Sequence, residues 1–118
     1  MTYVDAFVVP VSRAKLAAYK KLAKGAAAVF KKYGALSYVE CLADDVKPGK
    51  LTSYPQSVKL KADEVVVTSW ITYKNKAARN ACWKKCMKDP FMANFDPKNV
   101  PFDGKRMFFG GFKTIVEA

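Results

Sequence analysis

A carboxylate in the middle of an apolar strand is the residue of this sequence that is best placed for chemistry. Asp5 lies in the segment YVDAFVVPV, residues 3–11, where most neighbours are hydrophobic. A buried carboxylate needs a counter-charge or hydrogen-bond donors, or it must take up a proton. Two interpretations follow and both stay open. Asp5 is a general base in a cavity between a sheet and helices, or it forms a structural ion pair with Arg106 or Lys113.

Four further residues are candidates for binding a ligand. Phe7 follows Asp5 on the same face of the first strand, and Trp70 lies in the most β-prone segment, where it would form a wall for a planar ligand. Tyr54, in a long connection, would close over the cavity, and Arg106 would hold an anionic group. The alternative is that these aromatic residues belong to the core or to a well-packed loop, as such residues usually do.

The absence of histidine excludes several kinds of site. The chain has no His, so His-based acid–base catalysis and His-activated nucleophiles are ruled out. Of its three cysteines, Cys82 and Cys86 share a helical face and Cys41 stands apart, which is too few ligands for a structural zinc. We therefore predict no metal site, no disulfide framework and no cofactor, with buried cysteines acting as small apolar residues.

Composition indicates a single globular domain over residues 1–118 with a strongly basic surface. The formal net charge is +11, and 51% of the residues are hydrophobic. Such a field attracts polyanions without specificity. No segment resembles an export signal or a membrane span, so a cytoplasmic location is expected.

The predicted elements follow the order β-α-β-β-α-β, which is a ferredoxin-like connectivity and an α+β fold. Ser12 and Asn75 are plausible caps for the two helices. Strands are predicted at residues 3–11, 36–42, 64–73 and 106–116, and helices at 13–33 and 76–88.

This connectivity predicts an antiparallel sheet ordered 4-1-3-2, with both helices on one face. The opposite face would still present apolar side chains from several strands, and a large apolar patch is rarely left exposed in a monomer. We therefore predict a homodimer in which two sheets pack face to face as a dimeric α/β barrel.

Five segments of the chain form a recognisable set: YVDAFVVPV at 3–11, TSYPQSVKLK at 52–61, VTSWI at 67–71, MKDP at 87–90 and PFDGKRMFFGGF at 101–112. Together they resemble a bacterial family known as domain of unknown function 1428. The resemblance implies a dimeric α/β barrel, an architecture that cofactor-free monooxygenases, haem-degrading enzymes and stress-response barrel proteins also use. It implies no activity.

Two functions of different classes remain open. In the first, the protein binds a small molecule, or is a cofactor-independent enzyme, through a cavity lined by Asp5, Phe7, Trp70 and the long connection. In the second, lysine-rich helices form a basic module that binds RNA or another polyanion, although no RRM, KH or helix-turn-helix motif is present.

Overall fold

The computed structural model describes residues 1–118 and contains four strands and four α-helices. A short 3₁₀ turn, Arg13–Lys15, precedes the first helix. In chain order the elements are β1 (Tyr3–Ser12), α1 (Leu16–Lys32), β2 (Ser37–Leu42), α2 (Tyr54–Ser57), β3 (Glu64–Tyr73), α3 (Lys76–Cys86), α4 (Pro90–Ala93) and β4 (Phe108–Lys113).

The four strands form one antiparallel sheet in the order β2-β3-β1-β4. This confirms the predicted ferredoxin-like fold and places β1 and β3 at the centre. The register aligns one residue from each strand in rows across the sheet. One such row joins Glu40, Ser69, Phe7 and Phe109.

The two long helices, α1 and α3, cover one face of this sheet and form the core with it. Around α1 and α3, Phe30, Ile71, Tyr73 and Cys82 belong to one buried cluster. A second cluster, with Val9, Val11 and Tyr19 among its members, lies towards the start of α1. Alternate residues of β1 and β3 therefore point inward, as the period-2 pattern of a strand requires.

The ends of the elements differ from the prediction at several points. The Asn75 side chain caps α3 by accepting a hydrogen bond from the Ala78 amide at 2.8 Å, as predicted. Ser12 accepts no such bond, because the 3₁₀ turn separates it from α1. The last strand is shorter than predicted because the amides of Arg106 and Met107 bond to the Asp103 carbonyl in a turn.

A close contact between a side chain and the backbone explains one glycine of the last strand, Gly111. The ring of Tyr3 lies directly over Gly111, so a side chain there would collide with it.

We call the side of the sheet opposite α1 and α3 the bare face. It consists of three cross-strand rows of four residues: Val39, Trp70, Ala6 and Gly110; Cys41, Thr68, Val8 and Phe108; Ser37, Thr72, Val4 and Phe112. The connection 43–63, which contains α2, covers only one end of this side, where Pro10 and Val66 are buried. Most of the bare face is thus uncovered by the rest of the chain, and Phe112 is 59% exposed.

Candidate functional site

The most conspicuous carboxylate of the sequence, Asp5, is completely buried in a network of hydrogen-bond donors. Its Oδ2 accepts hydrogen bonds from the Tyr73 hydroxyl at 2.8 Å, Trp83 Nε1 at 2.7 Å and Arg79 Nε at 3.1 Å. Its Oδ1 accepts one from Arg79 Nη2 at 2.8 Å. The counter-charge is therefore Arg79 of α3, and the predicted partners Arg106 and Lys113 are wrong. The order of the strands points only to residues of the neighbouring strands, whereas the Arg79 side chain extends to Asp5 from a helix.

The Asp5 carboxylate does not line the apolar cavity between the sheet and the helices. Asp5 affects this cavity only indirectly. It accepts a hydrogen bond from the indole nitrogen of Trp83, and the indole ring forms part of the cavity wall. Asp5 is thus a positioning residue for an aromatic wall, and its geometry corresponds to the structural interpretation.

Arg106 links the last loop, the connection 43–63 and the start of β3 by hydrogen bonds. It donates from Nε to Asp103 at 2.8 Å and from Nη1 and Nη2 to Glu64 at 2.8 and 2.6 Å. Nη1 also donates to the carbonyls of Val58 and Lys59. The predicted anion-binding side chain is occupied by the protein itself, since a guanidinium has only five N–H groups to offer.

The structure does not bring Trp70 and Tyr54 together with Phe7. Trp70 lies in the middle of the bare face, opposite the helices, and is 38% exposed. Tyr54 lies at the covered end of that side, beside Val66 and Thr68. Only Phe7, of the four predicted ligand-binding residues, lines the space between the sheet and the helices. A single cavity lined by Asp5, Phe7 and Trp70 is therefore not present, because strand alternation sends Trp70 to the other side.

A cavity of about 170 Å³ lies between the sheet, α1, α3 and the segment 90–107. We call it the inner cavity. Fifteen of its 17 lining residues are hydrophobic, and the two others are Glu40 and Ser69. The lining consists of Phe7, Val9, Tyr19, Leu22, Ala23, Ala26, Phe30, Tyr38, Glu40, Ser69, Ile71, Trp83, Phe91, Met92, Phe95, Phe102 and Met107.

Glu40 is the only charged group of the inner cavity, and two tyrosines hold it. The Tyr19 hydroxyl donates to Oε1 at 2.7 Å and the Tyr38 hydroxyl donates to Oε2 at 2.9 Å. Burial, together with the Glu40 carboxylate, raises the pKa of both Tyr19 and Tyr38 far above its usual value. Both phenols therefore stay protonated and act as donors, while Glu40 keeps lone pairs for a further donor.

Simple strand geometry places this group. Tyr38 and Glu40 are two residues apart on β2, so both side chains point to the helix side, and Tyr19 of α1 faces them. Sequence reasoning missed Glu40. The signal that singled out Asp5, a carboxylate on the inward face of a strand, is present on β2 as well.

The segment 90–107 forms one wall of the inner cavity. Five lining residues come from it: Phe91, Met92, Phe95, Phe102 and Met107. The Phe91 ring lies so close to Gly25, in the middle of α1, that a Cβ there would collide with it. A glycine inside a helix costs about 1 kcal/mol, and here its absent side chain makes room for the wall of the cavity.

The described chain contains no group of three or more His, Cys, Asp or Glu residues that could hold a metal ion. None of its helices has the length and apolarity that crossing a membrane requires. Cys82 and Cys86 are fully buried with their sulfurs 3.9 Å apart. Burial raises the pKa of the Cys86 thiol to about 12 and also raises that of Cys82.

Residues 2–104 match the family described as "Protein of unknown function (DUF1428)". The chain belongs to the DUF1428 family. The matched residues contain the whole inner cavity except Met107.

This DUF1428 chain is also similar to individual proteins over its full length. It is 49% identical over 117 residues to the uncharacterised protein YbaA of Escherichia coli K12 and to that of Shigella flexneri, covering 99% of each chain. The fold of Rv0793 from Mycobacterium tuberculosis is similar with a TM-score of 0.56 at 12% identity, covering 100% of this chain and 99% of that one. A NIPSNAP domain protein from Burkholderia xenovorans has a TM-score of 0.56 at 14% identity, with 98% and 97% covered. These structural likenesses concern the fold alone.

Proposed function

We propose that this protein binds a small ligand whose apolar part is about one ring in size and which donates a hydrogen bond to Glu40. The observation that carries the proposal is a single carboxylate, held by two neutral tyrosines, in an otherwise apolar cavity. Ligand sites typically combine an apolar lining with a few placed polar groups.

Size defines the ligand class. A dry cavity of about 150 Å³ holds benzene, and the inner cavity has about 170 Å³. One ring with a small substituent fits this volume, whereas a haem or a flavin does not. The Glu40 carboxylate favours a ligand hydroxyl or ammonium, because both its oxygens can still accept hydrogen bonds.

The finer form of the proposal is a cofactor-independent enzyme, and Glu40 would then be its base. The inner cavity holds three titratable groups, Glu40 and the two tyrosines that stay protonated. Since both phenols keep their protons, the Glu40 carboxylate is the group there that would accept a proton from a ligand, as general base catalysis requires.

The fluorescence of Trp83 offers a test, because this indole lines the inner cavity and the other tryptophan, Trp70, lies on the bare face. In a Trp70→Phe background, titration with benzyl alcohol should change Trp83 emission with a Kd on the order of 1 mM. Ala26→Leu, which fills the cavity, should weaken binding at least about tenfold. The exposed Ala28→Leu on the same helix should leave it unchanged. Equal effects of the two substitutions would contradict binding in the inner cavity.

The role of Glu40 is tested by comparing two probes. A hydrogen bond to a charged acceptor is worth about 1 kcal/mol more than one to a neutral acceptor, so Glu40→Gln should weaken benzyl alcohol roughly fivefold. Toluene, which has no donor, should bind both proteins equally. A parallel loss for toluene would mean that the substitution deforms the cavity and that Glu40 anchors nothing.

We propose in addition that a second copy of the chain covers the bare face, giving a homodimer. Support comes from its composition: none of its twelve residues is charged, although 26% of the chain is. A partner that carries the same net charge of +11 can approach only through a surface free of this charge.

The alternative function, binding of RNA or another polyanion, remains a prediction based on charge. Only Lys32, Arg79 and Arg106 of the 21 basic side chains form ion pairs with carboxylates. Binding of this kind would be sequence-blind and would disappear in high salt. Co-purifying absorbance at 260 nm that survives 1 M NaCl would contradict such electrostatic binding.

A further inference from the structure

A second pocket of about 260 Å³ opens on the solvent side of Glu40, between α1 and β2. We call it the outer pocket. It shares four residues with the inner cavity: Tyr19, Ala23, Tyr38 and Glu40. The tyrosine–glutamate group therefore lies at the junction of two compartments, one apolar and one facing solvent.

The outer pocket is lined by two lysines that the inner cavity lacks. Lys20 and Lys24 are exposed and lie one helical turn apart, so their side chains project from the same side of α1. Neither forms an ion pair with any carboxylate of the protein. Two free ammonium groups at this spacing can both reach one carboxylate or phosphate of a ligand.

From this arrangement we infer the ligand class: a ring-bearing acid, with its ring in the inner cavity, a hydroxyl at Glu40 and its anionic group in the outer pocket between Lys20 and Lys24. The inference rests on the proposed function, and it adds the charge of the ligand and the residues that bind it. From the interior to the solvent, the inner cavity, Glu40 and the two lysines would thus contact the ring, the hydroxyl and the anionic group of the ligand in that order.

Electrostatics supports the same ligand. An anion next to Glu40 alone would be repelled, but two ammonium groups lie on the solvent side and the chain as a whole carries +11. The anionic end can thus remain hydrated while it contacts the lysines, so it does not bear the cost of burying a charge. The positive field also raises the local concentration of an anionic ligand.

Benzyl alcohol and mandelate form a matched pair of probes, because they share the ring and the hydroxyl and differ by one carboxylate. Titrations of Trp83 fluorescence in the Trp70→Phe protein should give mandelate a Kd roughly fivefold lower than that of benzyl alcohol, since two exposed charge pairs contribute about 1 kcal/mol together. The double variant Lys20→Gln/Lys24→Gln should abolish that advantage and leave benzyl alcohol unchanged. The control Lys21→Gln/Lys85→Gln removes the same charge from exposed positions outside both pockets and should preserve the advantage.

The same titrations separate a failure of the anionic ligand class from a failure of the proposed function. If benzyl alcohol and mandelate bind with equal affinity, or if both double variants weaken mandelate equally, the anionic ligand class is wrong while the ring-binding function stands. If neither probe changes Trp83 emission in a protein whose circular dichroism shows it to be folded, the proposed function fails together with this inference.

Discussion

Asp5 and Glu40 are both carboxylates on inward-facing strand positions, and their surroundings give them different roles. Asp5 receives four hydrogen bonds, two of them from a guanidinium, and does not line the inner cavity. Glu40 receives two, both from neutral phenols, and borders open space on two sides. A carboxylate whose hydrogen-bonding capacity is used by donors of the protein fixes the positions of those donors, whereas one with free lone pairs can bind a ligand.

Removing the partner of Asp5 tests its structural role. Arg79→Met leaves a fully buried carboxylate without its counter-charge, so the free energy of unfolding should fall by about 3 kcal/mol. Urea denaturation measures this change. Lys85→Met on the same helix is exposed and should cost less than about 0.5 kcal/mol. If Arg79→Met and Lys85→Met had equal stability, the ion pair would not hold this part of the fold.

Residue types alone reveal an unusual carboxylate but not the donors around it. The apolar neighbours of Asp5 indicated that it needed a partner. They did not indicate Arg79, because this partner is 74 positions away and reaches the strand from a helix. Glu40 was not predicted because its strand, SYVECL, is short and mixes polar with apolar residues, so that a carboxylate does not stand out there.

At the scale of elements, periodic segments were predictable and the irregular ones were not. β3 was predicted with its observed bounds because its run of β-branched and aromatic residues is continuous. The segment 90–107 supplies five of the residues that line the inner cavity, and none of these five was predicted to form part of a site. Its shape depends on contacts across the molecule, such as that of Phe91 with Gly25, which no local pattern encodes.

Arg106 joins such irregular elements to the sheet, and this contact makes stability depend on pH. Its hydrogen bonds hold the pKa of both Glu64 and Asp103 below the usual values. In the unfolded chain these carboxyls titrate near pH 4. The stability that they contribute is therefore fully present above about pH 5 and is lost as the pH falls through the folded-state values.

The corresponding experiment is urea denaturation of the wild type and Glu64→Gln at several pH values between 3 and 7. The wild type should lose stability on acidification, and the loss should be smaller in Glu64→Gln because that position no longer titrates. Glu117→Gln, at the exposed C-terminal end, should follow the wild type. Identical slopes for wild type and Glu64→Gln would contradict a lowered pKa at Glu64.

At the scale of the whole molecule, the structure is a sheet with its two long helices, α1 and α3, on one side. Its extents are 38 × 36 × 20 Å, so the molecule is a slab whose second broad side is the bare face. The order of the strands and the side of the helices followed from connectivity rules. What the bare face contacts could not follow from them, since these rules concern the elements of one chain only.

Introducing a charge into the bare face tests the dimer. Size-exclusion chromatography of the wild type at micromolar concentration should give about twice the chain mass of 13.1 kDa. Trp70→Lys would place two buried ammonium groups in the interface and should give a monomer. Leu51→Lys, at a position that is 98% exposed in the connection, should remain dimeric. A wild-type protein that elutes as a monomer would contradict the proposal.

Methyl NMR of the four methionines tests the central claim, binding in the inner cavity, most directly. Met92 and Met107 line this cavity, whereas Met1 and Met87 are exposed outside it. Titration of ¹³C-methyl-methionine protein with benzyl alcohol should shift the Met92 and Met107 signals by ring currents and leave Met1 and Met87 in place. Shifts confined to Met1 or Met87, or no shift at a saturating concentration, would contradict the account.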